Sequence, residues 1–523
     1  MHPIRRTLTD NPMLQVAVWS FLGVLPIFFG HYLPCVDIPQ HAGQVAMFSA
    51  LHRPEGSPWV GIFEIHWFTP YLFGYLLMIA FSHLVGIVMA SKIVMAIALW
   101  CLPMSTASLM RVVNNDPRLS ILTVPTLYGF TFSFGFLNFL IAIPIGIWFM
   151  VWVLRYTERR GWINFLAAAI SINLLFFCHA LIWALFFGFA TIIIFSTTRS
   201  WRTFLLRMLP LLTSLPIVLY WFIAKAIGSE VHGGGSIGIT NFPMGWWRFN
   251  MLPLIIGSNH SLTDTAFGCL IVLAPWLAGF RLSTEFKRLF PLFCCLLILL
   301  VGPHAVMGIS FIYERFAPLV VPFYLFAMQA KPQVNQSLPK NRVWMGILAC
   351  LSLFILNESL IMSGFAAETA DFDAVLSTMQ PNQRALSLVF MRSSYFSPYP
   401  VYLHFPLWYQ AEKTGIVDYN FANGFMLLLQ FHNNSYPANI SGFEWNPQTF
   451  DWNRTEGWRY HYFMVRAPFN IASFVFREFG CHVHLLSHAG TWWVYEQNSV
   501  IKPNDNNVPC PIQSSPLAES HSQ

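Results

Sequence analysis

The chain has 523 residues, of which 55% are hydrophobic and only 10% charged, and its mean hydropathy is +0.53. Soluble globular proteins carry about 25% charged residues, so this composition excludes an ordinary water-soluble fold. The formal net charge of +6 comes mostly from Lys and Arg in the loops between apolar runs. It therefore indicates membrane topology and speaks against nucleic-acid binding.

Apolar runs of about the length that crosses a bilayer, roughly 20 residues, recur from Leu14 to Met362. The first run follows Arg5 and Arg6, is too long for a signal peptide and lacks a small-x-small cleavage site. We therefore expect an uncleaved anchor with a cytoplasmic N-terminus. In chain order, we predict about eleven membrane-spanning helices, at 14–33, 91–110, 119–134, 136–154, 162–178, 180–197, 203–224, 264–281, 289–306, 316–330 and 343–363.

The apolar run at 67–86 decides the topology of everything after it. Lys and Arg concentrate on the cytoplasmic side of membrane proteins, above all in short loops. If 67–86 does not span, most loop Lys and Arg residues of this chain fall on one side. We therefore predict that 67–86 lies in the interface or re-enters, and that the region after residue 365 faces outward.

This topology gathers many polar side chains at the outer face of the membrane. Charge is costly within a membrane, so groups that persist near it usually line a wet cavity. The gathered residues are Asp37, His41, Glu64, His66, Asn138, His179, His260, His304, Glu314 and Arg315.

Asp37 lies in the first outer loop, just before an amphipathic stretch that ends at Leu51. Pro39 suits the first turn of a helix, which places Asp37 at the helix start and His41 about one turn later. Asp37 could cap this helix and favour its dipole, or it could act as a general base at the membrane surface. The motif alone favours capping.

An Asp soon after the first span, followed by an interfacial helix, resembles the GT-C glycosyltransferases, which are membrane enzymes that use polyprenyl-phosphate sugars. The chain is similar to the bacterial dolichyl-phosphate-mannose mannosyltransferase-like and arabinose transferase-like members. Three further motifs over residues 1–365 carry the resemblance. They are His66-Trp67-Phe68-Thr69-Pro70-Tyr71-Leu72, similar to the family's His-Pro-Pro-Leu-Tyr; Phe134-Gly135-Phe136-Leu137-Asn138-Phe139, found in bacterial members; and Tyr313-Glu314-Arg315-Phe316-Ala317-Pro318, similar to Arg-Tyr-x-x-Pro.

The chain departs from the family at two of these positions. Asn138 stands in a loop where many members carry an acidic residue, and Phe316 follows Arg315 where the family has Tyr. A second carboxylate that could bind a metal is thus missing from the motif. We therefore predict no metal and no other cofactor.

The resemblance implies an inverting transfer of a sugar from a polyprenyl-phosphate donor to a lipid, glycan or protein acceptor. The reaction would take place at the outer face of the plasma (inner) membrane, in the cell envelope, among membrane lipids. Asp37 would be the general base, and Arg315, His41, His179 and His304 would bind the donor phosphate, because guanidinium matches phosphate oxygens. Candidates for positioning the acceptor are Glu64, His66, Asn138 and His260.

Purely structural roles are also open for several of these residues. Arg315 could pair with Glu314 or a lipid headgroup, and His179, His260, His304 and Asn138 could simply pack. For the whole protein, the alternatives are a transporter or flippase, a polymerase or ligase of lipid-linked glycans, and a non-catalytic membrane assembly partner. A transporter predicts charges buried mid-span and broken helices in matching halves.

After residue 365 the composition becomes more polar, and we predict three units: a membrane domain at 1–365, an extracytoplasmic mixed α/β domain at 366–500, and a disordered tail at 501–523. We expect helices at 372–379 and 473–479, and strands at 385–390, 461–466, 482–487 and 492–496. His404, in an aromatic-rich stretch, is interpreted as packing. Cys481 and Cys510 could form a disulfide in an oxidising compartment, which the sequence leaves open.

Overall fold

The computed structural model describes residues 11–53, 56–229, 239–240, 245–255, 262–306, 310–330, 340–424, 427–432, 443–498 and 510. The predicted site residue His260 lies outside these residues. The predicted tail, with the exception of Cys510, lies outside them as well.

The chain up to residue 378 is dominated by α-helices. They are α1 Pro12–Val24, α2 Ile38–Leu51, α3 Leu72–Val85, α4 Ile87–Val112, α5 Phe130–Ser133, α6 Leu137–Glu158, α7 Trp162–Cys178, α8 Ala180–Thr197, α9 Trp201–Leu212, α10 Leu215–Ser229, α11 Leu262–Leu277, α12 Phe286–Val301, α13 Ile312–Phe316, α14 Val320–Ala327 and α15 Lys340–Thr378. Single 3-10 turns or segments adjoin them at Leu25–Phe28, Pro117–Thr126, Trp246–Ile255 and Ala317–Leu319.

Within the described residues, four helices are long and apolar enough to cross a membrane: α4, α6, α8 and the part of α15 from Arg342. The pair α9 and α10, bent by 55°, could form a fifth span. Shorter apolar helices include α3, α7 and α11. These elements are those of an integral membrane protein, and the count of eleven spans stays a prediction.

Two predicted spans take a different form. The span expected at 119–134 is wrong: a 3-10 segment, Pro117–Thr126, is followed by the four-residue helix α5. Pro125 has no backbone N–H and its ring clashes within an α-helix, which explains the break. The span expected at 316–330 is also shorter than predicted, because only α14 and a 3-10 turn before it are helical there.

The run at 67–86 forms α3, which has 14 residues. At about 1.5 Å per residue, a helix of this length is too short to cross a hydrocarbon core of about 30 Å. Helices at other predicted spans, such as α7 with 17 residues, are short as well, so both the non-spanning run and the sidedness of the chain stay predictions.

The C-terminal region, which we define as residues 366–498, contains a five-stranded sheet. The strands of the chain are β1 Phe63–Ile65, β2 Ile239–Thr240, β3 Phe280–Leu282, β4 Ala305–Val306, β5 Met328–Ala330, β6 Arg384–Val389, β7 Ile416–Val417, β8 Leu429–Phe431, β9 Tyr462–Arg466, β10 Val483–Ala489 and β11 Trp492–Gln497. The order in the sheet is β10-β11-β9-β6-β7, with β6 parallel to β7 and β9 and the other pairs antiparallel. All four strands predicted in this region are present.

The two helices expected in this region are present in altered form. The helix predicted at 372–379 is the end of α15, which continues without a break across residue 365. The other is α17, Ala472–Phe476, and α16, Leu407–Lys413, was not predicted. Cys481 and Cys510 form a disulfide with their Cα atoms 5.8 Å apart.

The C-terminal region is fastened to the first loop after α1. β1 of this loop pairs with β8. The Gln44 side chain of α2 accepts a hydrogen bond from Leu429 N at 2.9 Å and donates to Leu429 O at 3.3 Å. Trp59 Nε1 donates to Thr414 O at 2.7 Å. These contacts place residues from the two ends of the chain around one space.

Candidate active site

A cavity of about 310 Å³ lies between the first loop, the Phe134–Phe139 motif, α13 and the C-terminal region. Its lining is rich in aromatic rings and contains few charged groups. Polar side chains that line it are Asp37, His41, Tyr71, Asn138, His179, Ser310, Arg315, His404 and Tyr419, and aromatic ones include Phe134, Phe136, Phe139, Phe311, Phe421 and Trp445.

Backbone contacts hold Asp37 at the wall of this cavity. Asp37 N donates to Phe134 O at 3.0 Å, and Val36 N donates to Ser133 O at 2.9 Å. Gly135 follows with φ +74, a conformation that favours glycine. A Cβ at Gly135 would lie 2.9 Å from Ile38 N. The glycine therefore allows the Phe134–Phe139 motif to approach the start of α2 closely.

Asp37 occupies the N-cap position of α2, but its side chain makes no capping hydrogen bond. Its Oδ1 lies instead 3.0 Å from Nδ1 of His404. His404 is 7% exposed, and its ring stacks on Tyr419 with centroids 5.4 Å apart. The capping role that the motif favoured is not the one that the carboxylate takes, and the interpretation of His404 as packing alone is wrong.

Arg315 lines the same cavity as Asp37, although they lie far apart in the sequence. Its guanidinium carbon is 3.7 Å from the centroid of the Phe136 ring, and its Nε donates to Ser310 O at 3.0 Å. No carboxylate among the described residues lies within 4.0 Å of this guanidinium. Glu314, the expected alternative partner, pairs instead with His304, whose Nδ1 is 2.8 Å from Glu314 Oε1.

Asn138 and His179 form a buried polar corner of the cavity. Asn138 is 2% exposed, and within the described part of the chain neither polar atom of its amide has a hydrogen-bond partner. His179 separates α7 from α8, and its Nε2 lies 3.5 Å from the Tyr71 hydroxyl. Because unsatisfied buried polar groups are costly, this corner is suited to a polar ligand group.

His41 lies on the first turn of α2, and its Nδ1 is 3.0 Å from the Tyr75 hydroxyl. Burial lowers the pKa of His41 to about 4; Asp37 opposes this shift, and Arg315 and His404 add to it. The imidazole is therefore neutral near pH 7. It can offer a hydrogen bond to a ligand, but not the positive charge that a phosphate-binding role could use.

Three of the predicted site residues that the structure describes are not in the lining of the cavity. Glu64 and His66 lie at β1, where Glu64 contacts His66 at 3.6 Å and His432 at 3.3 Å. His304 lies behind Phe311, with ring centroids 5.1 Å apart. The predicted site residue His260 is outside the described residues, so its position relative to the cavity stays open.

One close group of metal-ligating side chains is present in the described part of the chain, and it is away from the cavity. It consists of Cys481, His482 and Cys510. The two sulfurs are joined in the disulfide, and a metal thiolate site needs the free thiolates. This cluster therefore contributes no chemistry to the cavity.

No protein-family model and no curated protein matches this chain. Solved structures do. The crystal structure of ArnT from Cupriavidus metallidurans bound to undecaprenyl phosphate matches with a TM-score of 0.55 and 10% identity, over 93% of this chain and 97% of that one. The apo state of the same ArnT matches with a TM-score of 0.50 and 12% identity, over 92% and 96%. The chain thus has a GT-C-like fold over most of its length, as the sequence motifs predict.

Proposed function

We propose that this protein is a membrane glycosyltransferase. It transfers a sugar from a polyprenyl-phosphate carrier to a hydroxyl group of a lipid, glycan or protein at the outer face of the membrane. One observation carries the proposal: Asp37 and Arg315, from distant parts of a GT-C-like fold, line a single cavity. A base and a phosphate-binding cation are the two groups that such a transfer needs.

In the proposed step, the Asp37 carboxylate accepts the proton of the acceptor hydroxyl. The acceptor oxygen forms a bond to the anomeric carbon of the sugar from the face opposite the phosphate. The bond between that carbon and the phosphate oxygen breaks, and its electron pair leaves with the polyprenyl phosphate. Attack from the opposite face inverts the anomeric configuration, and a phosphate leaving group needs little acid catalysis.

Arg315 is the group that we assign to the departing phosphate. It is the one permanently charged cation in the described lining of the cavity. The Phe136 ring holds the guanidinium from one face, and a cation over an aromatic face is stabilised by about 0.5–2 kcal/mol. Stabilising charge that develops in the transition state is often the largest catalytic contribution. The proposed step draws this charge from Arg315 and uses no metal ion.

Two observations support the carrier and the side of the membrane. The ArnT structure of similar fold was solved bound to undecaprenyl phosphate, which supports a polyprenyl-phosphate donor here. The Cys481–Cys510 disulfide in the C-terminal region supports an oxidising, extracytoplasmic compartment for the side that carries the cavity. We therefore propose that the N-terminus is cytoplasmic.

The proposal is tested by mass spectrometry of envelope glycans and lipids from a deletion strain that carries wild type, Asp37→Asn or Arg315→Ala. We expect wild type to restore a sugar modification and both variants, expressed at equal levels, to lose it. Asp451→Asn is the matched control, because Asp451 is exposed and its cap to Arg454 N can be kept by Asn. If wild type changes no glycan, the protein transports or scaffolds; if Asp37→Asn restores the sugar fully, Asp37 is not the base.

A further inference from the structure

His404, in the C-terminal region, contacts the proposed base Asp37 directly. His404 Nδ1 and Asp37 Oδ1 are 3.0 Å apart, although the two residues are separated by 367 positions in the sequence. We propose that His404 is a positioning residue, which donates from Nδ1 to Asp37 Oδ1 and leaves Oδ2 free for the proton of the acceptor. This inference rests on the proposed function, in which Asp37 is the base.

The imidazole of His404 is held on two sides by aromatic rings. It stacks on Tyr419 at an interplanar angle of 23° and meets Phe421 edge to face, with centroids 6.1 Å apart. Its own backbone is fixed because Leu407 N, at the start of α16, donates to His404 O at 3.0 Å. The ring plane, and with it the direction of the Nδ1–H, is therefore set by packing.

The rings that hold His404 are themselves held by the helix that begins at Asp37. Gln40, in the first turn of α2, accepts from Phe421 N at 2.9 Å and donates to Tyr419 O at 3.5 Å. The contacts thus run from Asp37 to His404, on to Tyr419 and Phe421, and back through Gln40 to the same helix. A closed circuit of this kind resists rotation of the carboxylate better than a single contact does.

A carboxylate at an N-cap position ordinarily turns back to accept from backbone N–H groups of the first turn. Asp37 does not. The Asp37 oxygen that contacts His404 is instead oriented by a donor outside the helix. In the transfer step the acceptor proton goes to Asp37 Oδ2, and His404 keeps its Nδ1 proton throughout.

Other titratable groups surround this pair and affect how it responds to pH. The charged or titratable groups that interact with it are Cys35 of the first loop, His41 on α2, Tyr75 on α3, Arg315 on α13 and Tyr419 of the C-terminal region. A pH profile alone would mix their contributions. The test therefore relies on replacements that keep or remove one donor at a fixed place.

The experiment compares His404→Asn, His404→Gln and His404→Ala in the full-length protein, with the glycan assay of the proposed function as the readout. The Asn amide nitrogen can occupy the place of Nδ1, whereas that of Gln reaches the place of Nε2. We expect His404→Ala and His404→Gln to lower the rate about a hundredfold, the usual cost of a misplaced catalytic group. His404→Asn should stay within about tenfold of wild type, because it restores the donor to Asp37.

Two controls separate structural effects from positioning. His484→Asn changes an exposed His of the same region that contacts Asn498 and Glu496, and should leave the rate unchanged. Thermal unfolding of Asp37→Ala, His404→Ala and the double variant tests the contact without any activity. We expect the double variant to lose less in Tm than the sum of the two single losses, since partners of one contact are not additive.

The outcomes distinguish the two proposals. If wild type is active and His404→Asn is no better than His404→Ala, the proposed function stands and the positioning role is overturned. Strictly additive losses in Tm would also overturn it, because the contact would then not exist in solution. If wild type changes no glycan, the proposed function fails, and the role of His404 in it fails with it.

Discussion

Replacing Gly135 by Ala should reduce sugar transfer per folded molecule, in addition to lowering the stability of the fold. Gly135 has φ +74, and a Cβ there would lie 2.9 Å from Ile38 N and 3.1 Å from Asp37 N. Ordinary contacts between heavy atoms begin near 3.5 Å, so the backbone that carries Asp37 must move by about half an ångström. That backbone is also held by the hydrogen bond from Asp37 N to Phe134 O.

The magnitude follows from two contributions. A left-handed conformation costs a non-glycine residue about 1–2 kcal/mol. Weakening one backbone hydrogen bond adds about 0.5–1.5 kcal/mol, which gives a total destabilisation of about 1.5–3.5 kcal/mol. Catalytic groups tolerate displacements of only about 0.5 Å, and a 1 Å displacement costs about a hundredfold in rate. We therefore expect a tenfold to hundredfold loss of sugar transfer per folded molecule.

Gly61→Ala is the matched control for this substitution. Gly61 also has a positive φ, +82, but a Cβ there meets nothing within 4 Å. It should lose the same 1–2 kcal/mol of conformational free energy and keep its activity. Thermal unfolding of the purified protein and mass spectrometry of the complemented strain measure the two quantities. Wild-type activity in Gly135→Ala, or an equal loss of activity in Gly61→Ala, would refute the reasoning.

Three further predictions concern the C-terminal region. Gln44→Ala removes two hydrogen bonds to the backbone of Leu429 and should lower the free energy of unfolding by about 1–3 kcal/mol. The loss is measured as a lower Tm and faster proteolysis. An unchanged Tm would mean that this contact does not hold the C-terminal region in place. Burial raises the pKa of Asp418 to about 7, so the folded state retains a proton that the unfolded state releases above pH 3.8, and stability falls as pH rises from about 4 to 7. Asp418→Asn should therefore raise Tm at pH 8 and have little effect at pH 4, and an equal effect at both pH values would contradict this sign. Alkylation of the unreduced protein should leave Cys481 and Cys510 unlabelled and label both after reduction; labelling of both before reduction would place them in a reducing compartment.

The sequence predicted elements well where the pattern is local. The strands β6, β9, β10 and β11 follow from short apolar runs, because side-chain alternation and length set a strand locally. The sequence does not predict that α15 continues across residue 365, because the polar change there also fits a break between two helices. Residues 365–370, Phe-Ala-Ala-Glu-Thr-Ala, include good helix formers, and a change from lipid to water alters composition without ending a helix.

In the candidate site too, the sequence predicts residues that belong to local motifs and does not predict contacts between distant segments. Asp37 and Arg315 were found because each belongs to a short motif with a chemical purpose. His404 was not, since no local pattern marks it and its partner lies 367 residues away. Asn138 was found by its motif, but its buried and unpartnered amide follows only from how α6 packs. Contacts between distant segments depend on the whole fold, which short motifs do not encode.

Helix α15 has 39 residues and, at about 1.5 Å per residue, is about 58 Å long. A hydrocarbon core is about 30 Å thick, so this single helix reaches from the lipid well into the C-terminal region. The helix crosses residue 365 without a break, so the membrane part and the start of the C-terminal region share one stiff element instead of being joined there by a flexible linker.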